Sequence, residues 1–186
     1  MNLIEELKNY CDINNPVGAL MLSGEWGCGK TYLIKTKFIP SVKDTYVFVC
    51  ISLFGIDSLD KLRVEVKKKW LEKASEFDSL NGTKVSRVAD SCRRIFDTIK
   101  DRLPENWKKK GEVVSSIMDL INFMPISNRM FEKKVILVFD DLERTNISCT
   151  DLLGCINDYC ENQGFNTIIV ANEEKIKDRS DNELSY

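Results

Sequence analysis

Apolar residues along the chain fall into short uninterrupted runs separated by longer stretches with helical spacing. Leu3, Ile4 and Leu7 recur at helix-like intervals, and Asn14, Asn15 and Pro16 then end that pattern ahead of an apolar run from Ala19 to Leu22, which reads as a buried strand. A second run, Tyr46 to Ile51, is made entirely of strand formers, and a third, Val135 to Phe139, ends in Asp140 and Asp141. A fourth, Thr167 to Ala171, ends at Asn172. Strands without polar alternation are expected where both faces of a sheet are covered.

The intervening stretches predict helices. One follows Gly29 through Tyr32, Leu33, Ile34 and Lys35 as far as Pro40, and one capped by Asp57 carries Leu62, Val66 and Trp70. Two more are marked by Val85, Val88, Cys92, Phe96, Ile99 and Leu103, and by Val113, Ile117, Leu120, Ile121 and Met124. Thr150 is expected to cap a helix through Leu153, Ile156 and Cys160 that stops at Gly164, and Glu173 to Tyr186 reads as a frayed helix. Strands alternating with helices imply an α/β fold with a parallel sheet.

Composition narrows the picture. With 186 residues, 43% of them hydrophobic, the chain is expected to form a single domain over 1–186. Twenty-seven basic against 29 acidic residues give a net charge of -2, which supplies no field for a nucleic acid. The basic runs Lys67, Lys68, Lys69 and Lys108, Lys109, Lys110 read as solvated helix faces. Seven cysteines, an odd number with no signal peptide before them, point to reduced thiols in the cytoplasm. The absence of histidine, with the closest cysteine pairs five and six residues apart, leaves no zinc site to build. The least polar long stretch, Val113 to Met124, is broken by Asp119 and falls short of the ~20 residues that span a bilayer, so no membrane span is expected.

The chemistry lies at the strand ends. Gly24-Glu25-Trp26-Gly27-Cys28-Gly29-Lys30-Thr31 matches G-x-x-x-x-G-K-[ST] in full and stands between a strand and a helix, the context in which backbone N–H groups and a helix N-terminus cradle phosphate. Lys30 is expected to reach the β and γ phosphates and the Thr31 hydroxyl to ligate Mg²⁺, with Tyr32 next in the helix. Asp140, at a strand end, is placed to hold the Mg²⁺ coordination sphere opposite Thr31. Asp141 is placed to polarise the attacking water, with Glu143 a second candidate. Asn172 orients that water, contacts the γ phosphate or simply serves the turn after its strand, and Arg144 senses phosphate, acts across a subunit interface or pairs with a neighbouring carboxylate. Asn172 is followed by Glu173 and Glu174 instead of a guanine-reading N-K-x-D, which favours ATP over GTP. Tyr10, Asn14 and Asn15 are candidates to line the base, against the plainer reading of an ordinary loop. Cys28 fills space beside the phosphate loop.

The loop Gly24 to Thr31, with Ile51-Ser52-Leu53-Phe54-Gly55-Ile56, Phe139-Asp140-Asp141-Leu142-Glu143-Arg144 and Ile169-Val170-Ala171-Asn172-Glu173-Glu174, resembles the KAP family of P-loop NTPases. The resemblance implies a three-layer α/β/α core with its first, fourth, third and second strands side by side in that order. It also implies a helical insertion, here about 57–131, between the strands that carry the Gly-rich loop and the acidic pair. Family members are mostly bacterial and linked to phage exclusion, and many carry membrane helices in the insertion. They continue into a fifth strand beyond the first, so the chain is expected to be an N-terminal fragment or a reduced form that meets a protein partner or a second copy. Glu143 stands where the family commonly has Asp. Two functions follow as expectations: an ATPase whose turnover drives a conformational change, and a scaffold that binds ATP and hydrolyses it slowly or never.

Overall fold

Tyr46–Ser52, Lys133–Asp140 and Asn166–Ala171 lie parallel in one sheet, and almost every residue in them is buried, as their uninterrupted apolar sequence requires. The structure is a computed structural model, which describes residues 2–81, 126–130 and 132–176. In chain order the strands are β1 (Leu20–Ser23), β2 (Tyr46–Ser52), β3 (Arg129–Met130), β4 (Lys133–Asp140) and β5 (Asn166–Ala171). The sheet runs β1-β5-β4-β2, with β3 paired to β4 off that path. The order of the four long strands is the one the resemblance implies.

Alternation along the strands divides the core into two faces. Phe48, Ile136, Val138, Ile168 and Val170 pack with Leu7 and Cys11 of α1 (Leu3–Asp12) and with Ile34, Phe38 and Val42 from the helical stretch after the Gly-rich loop. On the opposite face Phe139 meets Tyr159 of α5 (Cys149–Glu161), their ring centroids 6.2 Å apart, and Tyr159 in turn meets Phe165. Helices thus cover both faces of the sheet. Full burial of each large apolar side chain contributes about 1.5–3 kcal/mol, and Phe38, Leu137, Phe139 and Phe165 are among those with essentially no exposure.

Local chemistry departs from the sequence-based expectation in several places. β1 is not fully buried: its residues alternate, and Met21 is exposed, because β1 pairs with β5 alone among the described residues. β3 was not expected; two residues carry no periodicity, and its pairing with Lys133 and Lys134 is set by a reversal at Glu132, which takes a positive φ of 64°. The helix after the loop does not stop at Pro40. It starts as α2 (Lys30–Tyr32), widens to a π-helical segment (Leu33–Phe38) in which the Ile39 N–H bonds the Ile34 carbonyl, and closes as α3 (Ile39–Val42). Proline has no N–H for the ladder and crowds the carbonyl four residues back, and placing Pro40 in the first turn of α3, after the π segment, lets the helix run on to Val42. Ser148, not Thr150, caps α5, accepting from the Asp151 N–H. Ser58, not Asp57, caps α4 (Leu59–Asn81), accepting from the Lys61 N–H at 3.4 Å, while Asp57 pairs with Lys61 at 2.7 Å.

The chain divides into two compact units, Met1–Leu62 with Ser127–Tyr186, and Arg63–Ile126. In the second, the described residues continue α4, where Lys68 pairs with Glu65 and Lys69 with Glu72, so this basic run is balanced by acids on its own helix. The helices expected around 85–103 and 113–124, Cys92 and the run Lys108 to Lys110 lie outside the described residues, and of the expected terminal helix only a turn at 173–176 lies within them. Among the described residues no helix is long and apolar enough to cross a membrane.

Candidate nucleotide-binding site

The register of the sheet brings the candidate residues to one edge. Ser52 pairs with Asp140, Asp140 with Val170 and Ser23 with Ala171, so β1, β2, β4 and β5 all end together, and the segments that follow them converge. In parallel α/β sheets this carboxyl edge is where ligands sit.

The first of those segments is the Gly-rich loop. A Cβ on Gly24 would lie 2.9 Å from the Cys28 sulfur, so any larger residue there would push the Cys28 side chain aside within the loop. Gly29 takes φ 92° at the N-cap of α2, a left-handed conformation that leads the chain straight into a helix whose first N–H groups have no intrahelical acceptor. Lys30 Nζ donates to the Gly24 carbonyl at 2.6 Å and the Glu25 carbonyl at 2.8 Å and lies 3.8 Å from Cys28 Sγ, which holds the ammonium inside the loop. Cys28, Tyr32 and Trp26 are exposed.

One residue along, the Thr31 hydroxyl donates to Asp140 Oδ1 at 3.0 Å. Asp140 is only 7% exposed; its Oδ1 also accepts from the Asp141 N–H at 3.1 Å, and its Oδ2 lies 3.4 Å from Lys35 Nζ. A hydroxyl and a carboxylate that converge in this way form the hard oxygen donor set that suits Mg²⁺.

Asp141 sits in the left-handed region, φ 62° and ψ 40°, and begins the 3₁₀ turn Leu142–Arg144. That turn points the three polar side chains of the acidic motif to different partners. Asp141 Oδ2 accepts from Ser52 Oγ at 3.3 Å, and its Oδ1 lies 3.6 Å from Arg144 Nε. Arg144 also stacks, with its guanidinium carbon 5.4 Å from the centre of the Trp26 ring and 5.6 Å from that of Phe54. Of the three alternatives the sequence leaves for Arg144, the Asp141 contact corresponds to pairing with a neighbouring carboxylate.

Glu143 joins two motifs. Its Oε1 accepts from Trp26 Nε1 at 2.6 Å, and its Oε2 from the Asn172 N–H at 3.2 Å, so one carboxylate ties the tip of the Gly-rich loop to the end of β5. Both carboxylate oxygens are thus engaged. Glu143→Ala is expected to weaken nucleotide binding about tenfold, the scale of one lost charge-assisted hydrogen bond, while Glu143→Gln, still able to accept from Trp26, loses less. Calorimetry on both variants measures this, and equal losses would show that the Trp26 contact is not what matters.

Asn172 is 5% exposed, and its Oδ1 accepts from the Lys175 N–H at 3.3 Å, capping the helical turn that follows. No described residue accepts from its Nδ2. Each reading of Asn172 therefore has a group to act with, the carbonyl for the turn and the amide N–H groups for a ligand.

Three sequence candidates lie elsewhere. The Tyr10 hydroxyl donates to the Gly18 carbonyl at 2.8 Å and accepts from the Thr167 N–H at 2.9 Å, at the opposite, amino edge of the sheet. Burial pushes its pKa up to about 12. Asn14 and Asn15 are exposed just past the end of α1, whose last carbonyls are taken by Lys134 and Asn166 at that same edge. Tyr10 thus serves the start of the sheet, and Asn14 and Asn15 lie in an exposed loop beside it, the plainer of the two readings. Conversely, sequence reasoning gave no role to Ser52, Phe54 or Lys35. Ser52 and Phe54 lie in the Ile51 to Ile56 stretch that carried the family resemblance, which was the available signal; Lys35 had none beyond standing one turn after Thr31.

The six described cysteines are free thiols. Burial pushes Cys11 up to about 12 and raises Cys160, which leaves both as neutral core groups.

A search among curated proteins finds none that matches. The family model described as the KAP family P-loop domain matches residues 2–185, nearly the whole chain. The convergence of the Gly-rich loop, Thr31 and Asp140 on the carboxyl edge of a β1-β5-β4-β2 sheet is the geometry such a domain uses to bind nucleotide, and the chain belongs to the KAP family of P-loop NTPases.

Proposed function

We propose that the chain is a Mg²⁺-dependent ATPase of the cytoplasm whose turnover drives a conformational change read by a protein partner or a second copy. The observation that carries this is the meeting of Thr31 and Asp140 at 3.0 Å with Asp141 one residue further on, held by Ser52. Gly24, Glu25, Trp26, Gly27, Cys28 and Gly29 wrap the phosphates, Lys30 neutralises the β and γ oxygens, and Thr31 and Asp140 hold Mg²⁺, which when bound supplies charge neutralisation on the triphosphate. Asp141 takes the proton of the attacking water, its carboxylate aimed by the Ser52 hydroxyl and the Arg144 guanidinium. Asn172 offers its Nδ2 donor to the γ phosphate or the water. Glu143, tied to Trp26 and to the Asn172 backbone, passes a change at the phosphate to the loop. ATP is preferred over GTP because Glu173 and Glu174 follow Asn172 where a guanine reader would stand. The family likeness extends this reading to bacterial anti-phage defence, where turnover would switch the state presented to the partner.

Titration with Mg-ATP by calorimetry, beside phosphate release and a GTP control, tests the proposal. Micromolar binding of ATP with steady phosphate release is the expected result. Binding without release would instead mark a nucleotide-gated scaffold, and no binding would overturn both readings.

A further inference from the structure

Asp140 presents a problem of charge. A carboxylate that is nine-tenths buried is stable as an anion only with hydrogen bonds and a nearby cation. Thr31 Oγ1 and the Asp141 N–H supply the hydrogen bonds, both to Oδ1, and neither carries charge. The cation is Lys35, whose Nζ lies 3.4 Å from Oδ2 and forms the ion pair recorded for Asp140 among the described residues. Lys35 is distinct in role from Lys30, whose ammonium is held on the loop carbonyls of Gly24 and Glu25.

Three features suit Lys35 to a reversible contact. It stands four residues after Thr31, one turn along the same helical stretch, so hydroxyl and ammonium reach Asp140 from one side. Its side chain is also 52% exposed, and a flexible four-carbon stem lets the ammonium withdraw into water without disturbing the core. The segment that carries it is π-helical, an irregularity that recurs at functional sites.

We propose that Lys35 is a tethered cation that occupies the Asp140 carboxylate and competes with the divalent metal for it, so that it sets the metal concentration at which the site fills. This rests on the Mg-ATP reading above. A divalent ion drawn to Asp140 meets the Lys35 ammonium at the same carboxylate, and like charges that close repel unless one retreats. Lys35 therefore weakens metal binding, and its departure from Asp140 accompanies loading of the site.

The test replaces Lys35 with methionine, which keeps the stem and removes the charge, and with arginine, which keeps the charge. Mn²⁺ serves as a paramagnetic probe, titrated by electron paramagnetic resonance onto the parent and both variants, and melting temperatures are measured with and without the metal. Lys35→Met is expected to bind Mn²⁺ about fivefold more tightly than the parent, the scale of a partly exposed ion pair, while Lys35→Arg stays near the parent. Without metal, Lys35→Met should melt lower than the parent, because Asp140 is left unpaired, and should gain more on adding Mn²⁺. Lys35→Gln repeats the measurement should the methionine variant fail to fold. Parent-level or weaker Mn²⁺ affinity in the charge-free variants, with the parent binding normally, overturns the competition alone. Absence of Mn²⁺ binding in the parent and every variant, both alone and with ATP present to supply its phosphate oxygens, overturns the Mg-ATP reading and the competition together.

Discussion

Lys30→Ala is expected to abolish ATP binding. The ammonium sits within the loop, 2.6 Å from the Gly24 carbonyl and 2.8 Å from the Glu25 carbonyl, and a triphosphate entering the loop replaces those neutral acceptors with charged oxygens. Hydrogen bonds to charged groups contribute about 1.5–3 kcal/mol each. Losing two of them weakens binding by roughly 10² to 10⁴, enough to remove the calorimetric signal at accessible concentrations. The fold should survive, since Lys30 is partly exposed and the core of the sheet lies elsewhere. Calorimetry with circular dichroism on the same sample checks both halves, and a folded Lys30→Ala protein that still binds ATP within threefold of the parent would remove the loop from the nucleotide site.

Asp141→Asn should do the reverse, sparing binding and stopping turnover. Its backbone, at φ 62° and ψ 40°, lies in a region that Asp and Asn tolerate better than other residues. Asparagine therefore keeps the turn and can still accept from Ser52, yet it cannot take a proton. Removal of a general base lowers the rate by about 10² to 10⁴. ATP affinity is expected to stay within about threefold, because Asp141 makes its contacts to Ser52 and Arg144 and leaves metal binding to Thr31 and Asp140. Single-turnover phosphate release beside calorimetry separates the two quantities. Undiminished release would move the base to another group. Asp141→Ala makes a useful comparison, since it adds backbone strain to the lost carboxylate and should melt lower than the asparagine variant.

How much of the site was legible depends on how far apart its parts lie in the chain. Gly24 to Thr31 could be read outright, because a phosphate cradle is made of consecutive residues and its glycines have steric reasons for their positions. Asp140 and Asp141 could be read because a buried strand that ends in acids announces itself through the run Val135 to Phe139. The Trp26 to Glu143 bridge spans 117 residues and the Lys35 to Asp140 contact 105, and no local pattern encodes either. The place of Tyr10 was hidden for the same reason. Its nearness to the loop in sequence suggested nearness to the base, but β1 lies between Gly18 and the loop, and the Tyr10 hydroxyl belongs to the amino edge of the sheet.

What the sequence determined by itself is therefore what periodicity and contiguous motifs can carry: the alternation of strands and helices, the buried character of β2, β4 and β5, and the chemistry of the Gly-rich loop. Those are short-range properties, set by backbone sterics and by which residues must leave water. The tertiary structure alone decided that Glu143 ties Trp26 to the end of β5, that Ser52 and Arg144 grip Asp141, and that Lys35 reaches Asp140 from a helix widened ahead of Pro40. Each of these depends on strand order and register, which bring remote residues to one edge of the sheet, and on the few ångströms over which a hydrogen bond or an ion pair acts.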